Sequence, residues 1–389
     1  MLAYDNNLDD YGFYEVGYSR YYNKIQAILE GQRWNLPVRW NYLDHDYDQH
    51  DWTREPNESL PELYAARARD LRERYDYLVL HFSGGSDSAN ILETFVDNGI
   101  HLDEVLIRGS YDQTDRIRSG IVSAQNNYSE CLVQSLPLAE WVRDNHMPHL
   151  RITVVETTNL ILDYFANTPD WAEHSSGMLS PNAAVKGTLD SLAPHYRTLA
   201  EQGRRVAHIY GAEKPTIYRH RDQFYTRWLD SVVMNFSMFR TTDSETPQFV
   251  ELFYYGRHAI ALQIKQLHVL KNYIKQHQVP DTEFDVQRAL ATGANQLQVS
   301  KDINNWTAAR IYQRRLPLWM EHLKPLSHTV IKDMDHWFSR DPNHAAYQNY
   351  HRGVDYLGVI MPKNWIDPGG IWCNFGIRTL VSRPRYLGT

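Results

Sequence analysis

Short apolar runs alternate with stretches of helical spacing through the first half of this chain. Tyr77-Leu78-Val79-Leu80-His81-Phe82 has strand length. So do Glu104–Arg108, carrying Val105, Leu106 and Ile107, and the β-branched run Arg151-Ile152-Thr153-Val154-Val155. A fourth run, Arg205–Tyr210, ends at Gly211. Between them, Tyr64, Ala68, Leu71 and Tyr75 recur at helical spacing over 61–76, and Ala89–Val96 reads as a helix stopped by Asn98-Gly99. Residues 119–145 and 188–202 also look helical, the second stopped by Gly203. Strand and helix in alternation predict an α/β fold, a doubly wound parallel sheet. Right-handed crossovers put the strand ends on one edge, where such sheets bind ligands.

The flanks read differently. Residues 1–60 are polar and tyrosine-rich, and Tyr11, Phe13, Tyr14, Tyr18, Tyr21 and Tyr22 suggest a cap packed on the main body. Beyond about residue 220 the alternation stops. Ile260, Ile264, Leu267, Leu270 and Ile274 form a helical stripe, and 366–389 is rich in Gly, Pro and Arg with little helical character. The expected organisation is an N-terminal extension over 1–60, a nucleotide-binding α/β domain over 61–225, and a mainly helical region over 226–389. The last would close over the site and select the substrate.

The 389 residues, 42% hydrophobic and 22% charged, suit a folded protein of two domains or one large one. The formal charge of −7 gives no general pull toward nucleic acid, although a local basic groove stays open. Cys131 and Cys373 stand alone, which argues against a zinc ribbon, an iron–sulfur site or a disulfide scaffold. No leader pattern and no apolar run of membrane length is present, so a cytoplasmic location without a membrane partner is expected. Homo-oligomerisation is left open.

The chemistry concentrates in Ser83-Gly84-Gly85-Ser86-Asp87-Ser88, between a buried-type strand and a helix. A helix N-terminus offers unpaired N–H groups to phosphate. Gly84 and Gly85 let the backbone come close, Ser83, Ser86 and Ser88 add hydroxyls, and Asp87 makes sense as a Mg²⁺ ligand. A plain helix cap would need only one such residue. No G-K-[ST] follows, so this is not a Walker A loop.

This hexapeptide resembles the signature of the PP-loop ATP pyrophosphatases, among them asparagine synthetase, GMP synthetase, NAD synthetase and tRNA-lysidine synthetase. Leu63–Glu104 looks most like bacteriophage-encoded, asparagine-synthetase-like members, which would place the protein in the host cytoplasm. The resemblance spans roughly residues 60–275. It implies a five-stranded parallel sheet of the adenine nucleotide alpha hydrolase type, ATP cleaved between its α- and β-phosphates, and an adenylated substrate. It further implies that Ser83, Gly84, Gly85, Ser86 and Ser88 grip pyrophosphate while Asp87 ligates Mg²⁺. Adenine would meet the strand end at Leu106-Ile107-Arg108, and a second loop, Tyr210-Gly211-Ala212-Glu213-Lys214-Pro215, would face the phosphates. There Lys214 is a candidate for neutralising charge during transfer, and Glu213 for a second metal ligand or a substrate contact. Lacking an early nucleophilic cysteine, the chain is expected to take nitrogen from ammonia, an amine or a partner's product. The cysteine pairs of thiolating members are absent as well.

Three functions fit: an amidoligase adenylating a small carboxylate, an enzyme modifying a nucleobase in nucleic acid, and a non-catalytic ATP or AMP binder or structural protein. Among other candidates, Asp44–Asp51 places acids at positions of a calcium loop, but Gln49 stands where glycine is required, so a solvated loop is expected. Arg116, Arg118, Arg204, Arg205, Arg219 and Arg221 are candidate contacts for an anionic substrate. Tyr218-Arg219-His220-Arg221, close behind the second loop, is the best placed of them. His258 and His268 read as packed or solvated histidines.

Overall fold

The computed structural model describes residues 11–109, 134–175, 177, 179, 181, 193–211, 214–230, 248–292, 296–312, 338, 341–367, 369–372 and 376–389. The N-terminal stretch contains β1 (Phe13–Val16), β2 (Ser19–Tyr21), α1 (Lys24–Trp34) and β3 (Val38–Asn41), the strands pairing antiparallel in the order β2-β1-β3. The α/β part follows with α2 (Leu60–Arg74), β4 (Tyr77–His81), α3 (Ser86–Asp97), β5 (Glu104–Gly109), α4 (Leu136–Asn145), β6 (Arg151–Glu156), α5 (Thr158–Asn167), α6 (His195–Glu201) and β7 (Val206–Tyr210). A hairpin, β8 (Thr216–His220) and β9 (Gln223–Arg227), precedes β10 (Gln248–Leu252). Then come α7 (Ile260–His277), α8 (Gln296–Ile311), α9 (Ala345–Ile360) and β11 (Arg385–Gly388).

The centre is a five-stranded, all-parallel sheet in the order β10-β7-β4-β5-β6, with helices on both sides. The expected α/β class is therefore correct. β4 and β7 are buried almost throughout, as parallel strands covered on both faces must be. Each buried Leu, Val, Ile or Phe there contributes about 1.5–3 kcal/mol. α2 starts at a capping box: Ser59 accepts from the Glu62 N–H, and Glu62 accepts from the Ser59 N–H at 2.7 Å. α3 ends at Asn98-Gly99, as its sequence indicates.

The fifth strand was not legible. Gln248–Leu252 reads as a mixed polar segment inside the stretch taken as helical, yet it pairs with β7 along its whole length. Its polar residues have inward partners. Gln248 bonds His208, and Glu251 meets Arg67 at 2.7 Å and Arg74 at 2.9 Å. β11, in the last stretch where little helix is expected, adds to the hairpin in a second antiparallel sheet, β11-β9-β8.

The N-terminal extension is a folded layer. Tyr14 is fully buried and donates to Asp230, while Tyr11 donates to the Val250 carbonyl on β10. The expected solvated loop at Asp44–Asp51 is corrected. Asp44–Tyr47 forms a helical turn, Tyr47 is fully buried, and Arg385 reaches both Asp44 (2.7 Å) and Asp48, the latter shared with Arg383. His268 is a packed histidine bonded to the Trp52 carbonyl. A second cluster, including Phe165, Trp171 and Tyr350, joins α5 to α9. Among the described residues no helix is long and apolar enough to cross a membrane.

Candidate functional site

Strand order locates the crevice. From β4 the chain adds β5 and β6 on one side, then β7 and β10 on the other, so the winding reverses between β4 and β7. At such a switch point the loops leaving the two strands diverge and open a binding crevice. Those loops are Phe82–Gly85, which leads into α3, and the segment beginning at Gly211.

The first loop is built around its glycines. Gly84 has φ +72°, and a Cβ there would lie 2.7 Å from Gln134 Cγ and 2.9 Å from Ser135 Oγ. Gly85 is the N-cap of α3 and has no side chain with which to cap it. No side chain therefore caps the first turn, and its N–H groups and the helix dipole favour an anion. Ser83 Oγ accepts from the Gly85 N–H at 3.3 Å and lies 3.3 Å from Ser88 Oγ, which donates to the Gly85 carbonyl. Ser83 is exposed, Ser86 and Asp87 are half-buried and Ser88 is buried.

The second loop closes on the first. A Cβ on Gly211 would meet the Asp87 carbonyl carbon and the Ser88 nitrogen at 3.1 Å, so a small residue lets the backbones approach. Lys214 Nζ then sits 2.7 Å from Asp87 Oδ1. The same oxygen accepts from the Tyr312 hydroxyl at 2.8 Å, and Tyr254 donates to the Asp87 carbonyl at 2.8 Å. Burial first, and then the neighbouring Asp87 charge, push the Tyr312 hydroxyl well above its ordinary range. It therefore stays protonated and acts as a donor. Tyr254 is raised likewise, by burial first and then by its neighbours Tyr64 and Asp87. Asn90 bonds the Tyr254 hydroxyl, linking α3 to the strand exit at Tyr254.

Beneath the crevice lies a polar row. His81 and Tyr210, the last residues of β4 and β7, are register partners with rings stacked 4.0 Å apart. His81 Nε2 is 2.9 Å from His208 Nδ1, and His208 Nε2 is 2.8 Å from Gln248 Oε1. With the Gln248 amide oxygen facing it, His208 carries its proton on Nε2, so its Nδ1 accepts from His81. Burial, with His208 beside it, lowers His81 well below its ordinary value. Burial also lowers His208, to about 4, against the opposing bond to Gln248. Both rings are neutral at pH 7.

The sequence-selected residues thus divide. Ser83 to Ser88, Gly211 and Lys214 come together. Ile107 is buried in β5, while Arg108 exposes its side chain at the same strand's C-terminal end. Glu213, Arg116, Arg118, Cys131 and Cys373 lie outside the described residues. Arg204 and Arg205 precede β7, at the opposite edge of the sheet, where Arg205 bonds Asp76. Arg219 is held by Asp281 at 2.6 Å. Sequence reading missed Tyr254, Tyr312 and the His81–His208 pair. The position of His81, directly before the glycine loop, was the available clue; Tyr254 and Tyr312 arrive from distant segments with no local signal. Among the described residues no group of three or more His, Cys, Asp or Glu side chains could cage a metal. The chain matches no protein-family model, and a search of curated proteins found none similar to it.

Proposed function

We propose that the chain is a Mg²⁺-dependent ATP pyrophosphatase that adenylates an acceptor oxygen, releases pyrophosphate, and then transfers the activated group to a nitrogen nucleophile with loss of AMP. The observation that carries the reading is the uncapped, doubly glycine-bearing N-terminus of α3 at the switch point, with Lys214 and Asp87 paired at its mouth. Helix N–H groups and serine hydroxyls there suit a leaving pyrophosphate. The adenine nucleotide alpha hydrolase fold belongs to this same proposal.

The donor set fits magnesium, which typically takes one or two carboxylates and completes its shell with phosphate oxygens and water. Asp87 would hold it, and when bound it would neutralise charge on the phosphate oxygens. The chain's own residues do the rest. α3 and Ser83, Ser86 and Ser88 orient the β- and γ-phosphates, leaving the α-phosphorus open to in-line attack. The acceptor oxygen forms a bond to that phosphorus as the bond to the bridging oxygen breaks, and the electron pair leaves with pyrophosphate. Lys214 offsets the charge developing on the departing group. Its pairing with Asp87 keeps both charges compensated beforehand, and Tyr312 holds the carboxylate in place.

The test is incubation with α-labelled ATP, Mg²⁺ and acceptor pools (carboxylate metabolites, then nucleic acid), with AMP separated from ADP. Acceptor-dependent AMP and pyrophosphate are expected, falling about 100-fold in Asp87→Ala and in Lys214→Met. ADP without AMP would overturn the proposal.

A further inference from the structure

The β11-β9-β8 sheet has one face in the core and one turned outward. Ile217, Phe224, Thr226 and Leu387 are buried on the inner face. On the other, Tyr218 pairs in register with Tyr225, and Tyr225 with Tyr386, so one tyrosine from each strand forms a row. Tyr218 and Tyr225 stack at 5.6 Å with 21° between their planes, and Tyr225 and Tyr386 lie 5.4 Å apart. The rings are half-exposed, Tyr386 reaching 39%. The Arg227 guanidinium carbon lies 4.9 Å from the Tyr218 ring centre, and Arg221 is exposed at the hairpin tip. Among the described residues no carboxylate lies within ion-pair distance of Arg221 or Arg227; the Asp285 charge acts on Arg227 and on Tyr218 from beyond that distance.

Cross-strand aromatic pairs stabilise a sheet by only about 0.2–1 kcal/mol. That accounts for a pair of rings but not for the charges around them. Arg221 and Asp222 both occupy the left-handed region, φ 48° and 61°, in a two-residue turn where Asn-Gly would be the unstrained choice. A strained arginine at the tip, an arginine over the first ring and a row of π-faces combine two chemistries. Guanidinium groups attract phosphate, and aromatic faces stack on bases without regard to sequence. Tyr218 is four positions along the chain from Lys214, so their Cα atoms are at most about 14 Å apart.

We infer that the tyrosine row Tyr218–Tyr225–Tyr386, with Arg221 and Arg227, is a binding platform for single-stranded nucleic acid, and that the acceptor adenylated in the neighbouring crevice is an unpaired base of that strand. The second half rests on the proposed function; the platform does not. The stacked bases would sit on the rings while the phosphates run past the arginines, and an adjacent nucleotide falls within reach of Lys214.

The experiment is fluorescence anisotropy of labelled 12-nucleotide RNA and DNA single strands and a matching duplex, without ATP, over a salt series. Single strands are expected to bind more tightly than the duplex. Tyr225→Ala should weaken binding about tenfold, Tyr225→Phe should stay within about twofold because its π-face remains, and Arg227→Gln should lower the salt slope by about one. The comparison of RNA with DNA tells which sugar is preferred, and preference for either supports the platform. No binding at low salt, equal binding of dextran sulfate, which has no bases, or an unchanged Tyr225→Ala affinity in a protein of wild-type melting temperature would each overturn it. Binding without AMP formation would sink only the adenylation reading. AMP formation from a small carboxylate with no strand binding would sink only this one.

Discussion

Gly84 and Gly99 both adopt positive φ, but for different reasons. At Gly99, φ +60°, nothing lies within 4 Å of an added Cβ, so alanine there meets only the left-handed backbone penalty, about 1 kcal/mol. At Gly84 the same substitution adds a clash with Gln134 and with the Ser135 backbone nitrogen at 3.0 Å. Gly84→Ala is therefore expected to cost about 2–3 kcal/mol in urea denaturation, clearly more than Gly99→Ala. Equal losses would mean that the loop is not held against Gln134-Ser135. Only the flanking pattern of strand and helix marks the first glycine as a loop residue. The residues it packs against, Gln134 and Ser135, come from a segment about fifty residues later.

At the scale of elements, β11 shows how a segment of low local preference gains its structure. Arg385–Gly388 is held by pairing with β9, by Lys271 donating to the Leu387 carbonyl, and by Arg385 reaching Asp44 and Asp48. Burial raises Asp44, and the Arg385 and Arg383 charges oppose that rise. Removing the guanidinium with Arg385→Met leaves a half-buried carboxylate without its main partner. A loss of about 2 kcal/mol at pH 7 is expected, below the 3–5 kcal/mol of a fully buried pair because Asp48 is nearly half exposed. Chemical denaturation, with faster amide exchange in β9, checks it; a loss under about 0.5 kcal/mol would make the contact a surface pair. The acidic run at Asp44–Asp51 was misread because its partners lie more than three hundred residues away.

Across the whole molecule, buried titrating groups set an acid limit. An unfolded histidine takes up its proton near pH 6.5, whereas folded His208 does so only near 4. Between those values unfolding binds protons, so stability is fully present above about pH 6.5 and falls as pH drops toward 4. His81 is lowered for the same main reason and adds to the slope. Glu251 works lower on the scale. Burial raises it, but Arg67 and Arg74 outweigh burial and bring it to about 2 from 4.5. Its contribution of about 3 kcal/mol is present above pH 4.5 and lost as pH falls toward 2. Thermal melts from pH 7.5 to 3 should show melting temperature dropping below about 6.5, with His208→Gln flattening the portion above 4. A flat profile down to pH 4.5 would contradict neutral burial of the histidines.

The sequence alone determined the alternation of strands and helices, the four strands from Tyr77 to Tyr210, and the loop Ser83–Ser88 with Gly211 and Lys214 behind it. These signals are local: apolar runs, helix stops and glycines read within a few residues. Tertiary structure decided what depends on partners far along the chain. It made a sheet strand of Gln248–Leu252, whose polar residues find His208, Arg67 and Arg74. It also brought Tyr312 to Asp87, tied Arg385 to the acidic run, and aligned Tyr386 with Tyr225. A polar side chain reads as exposed until its partner is known, and only the packed fold supplies the partner.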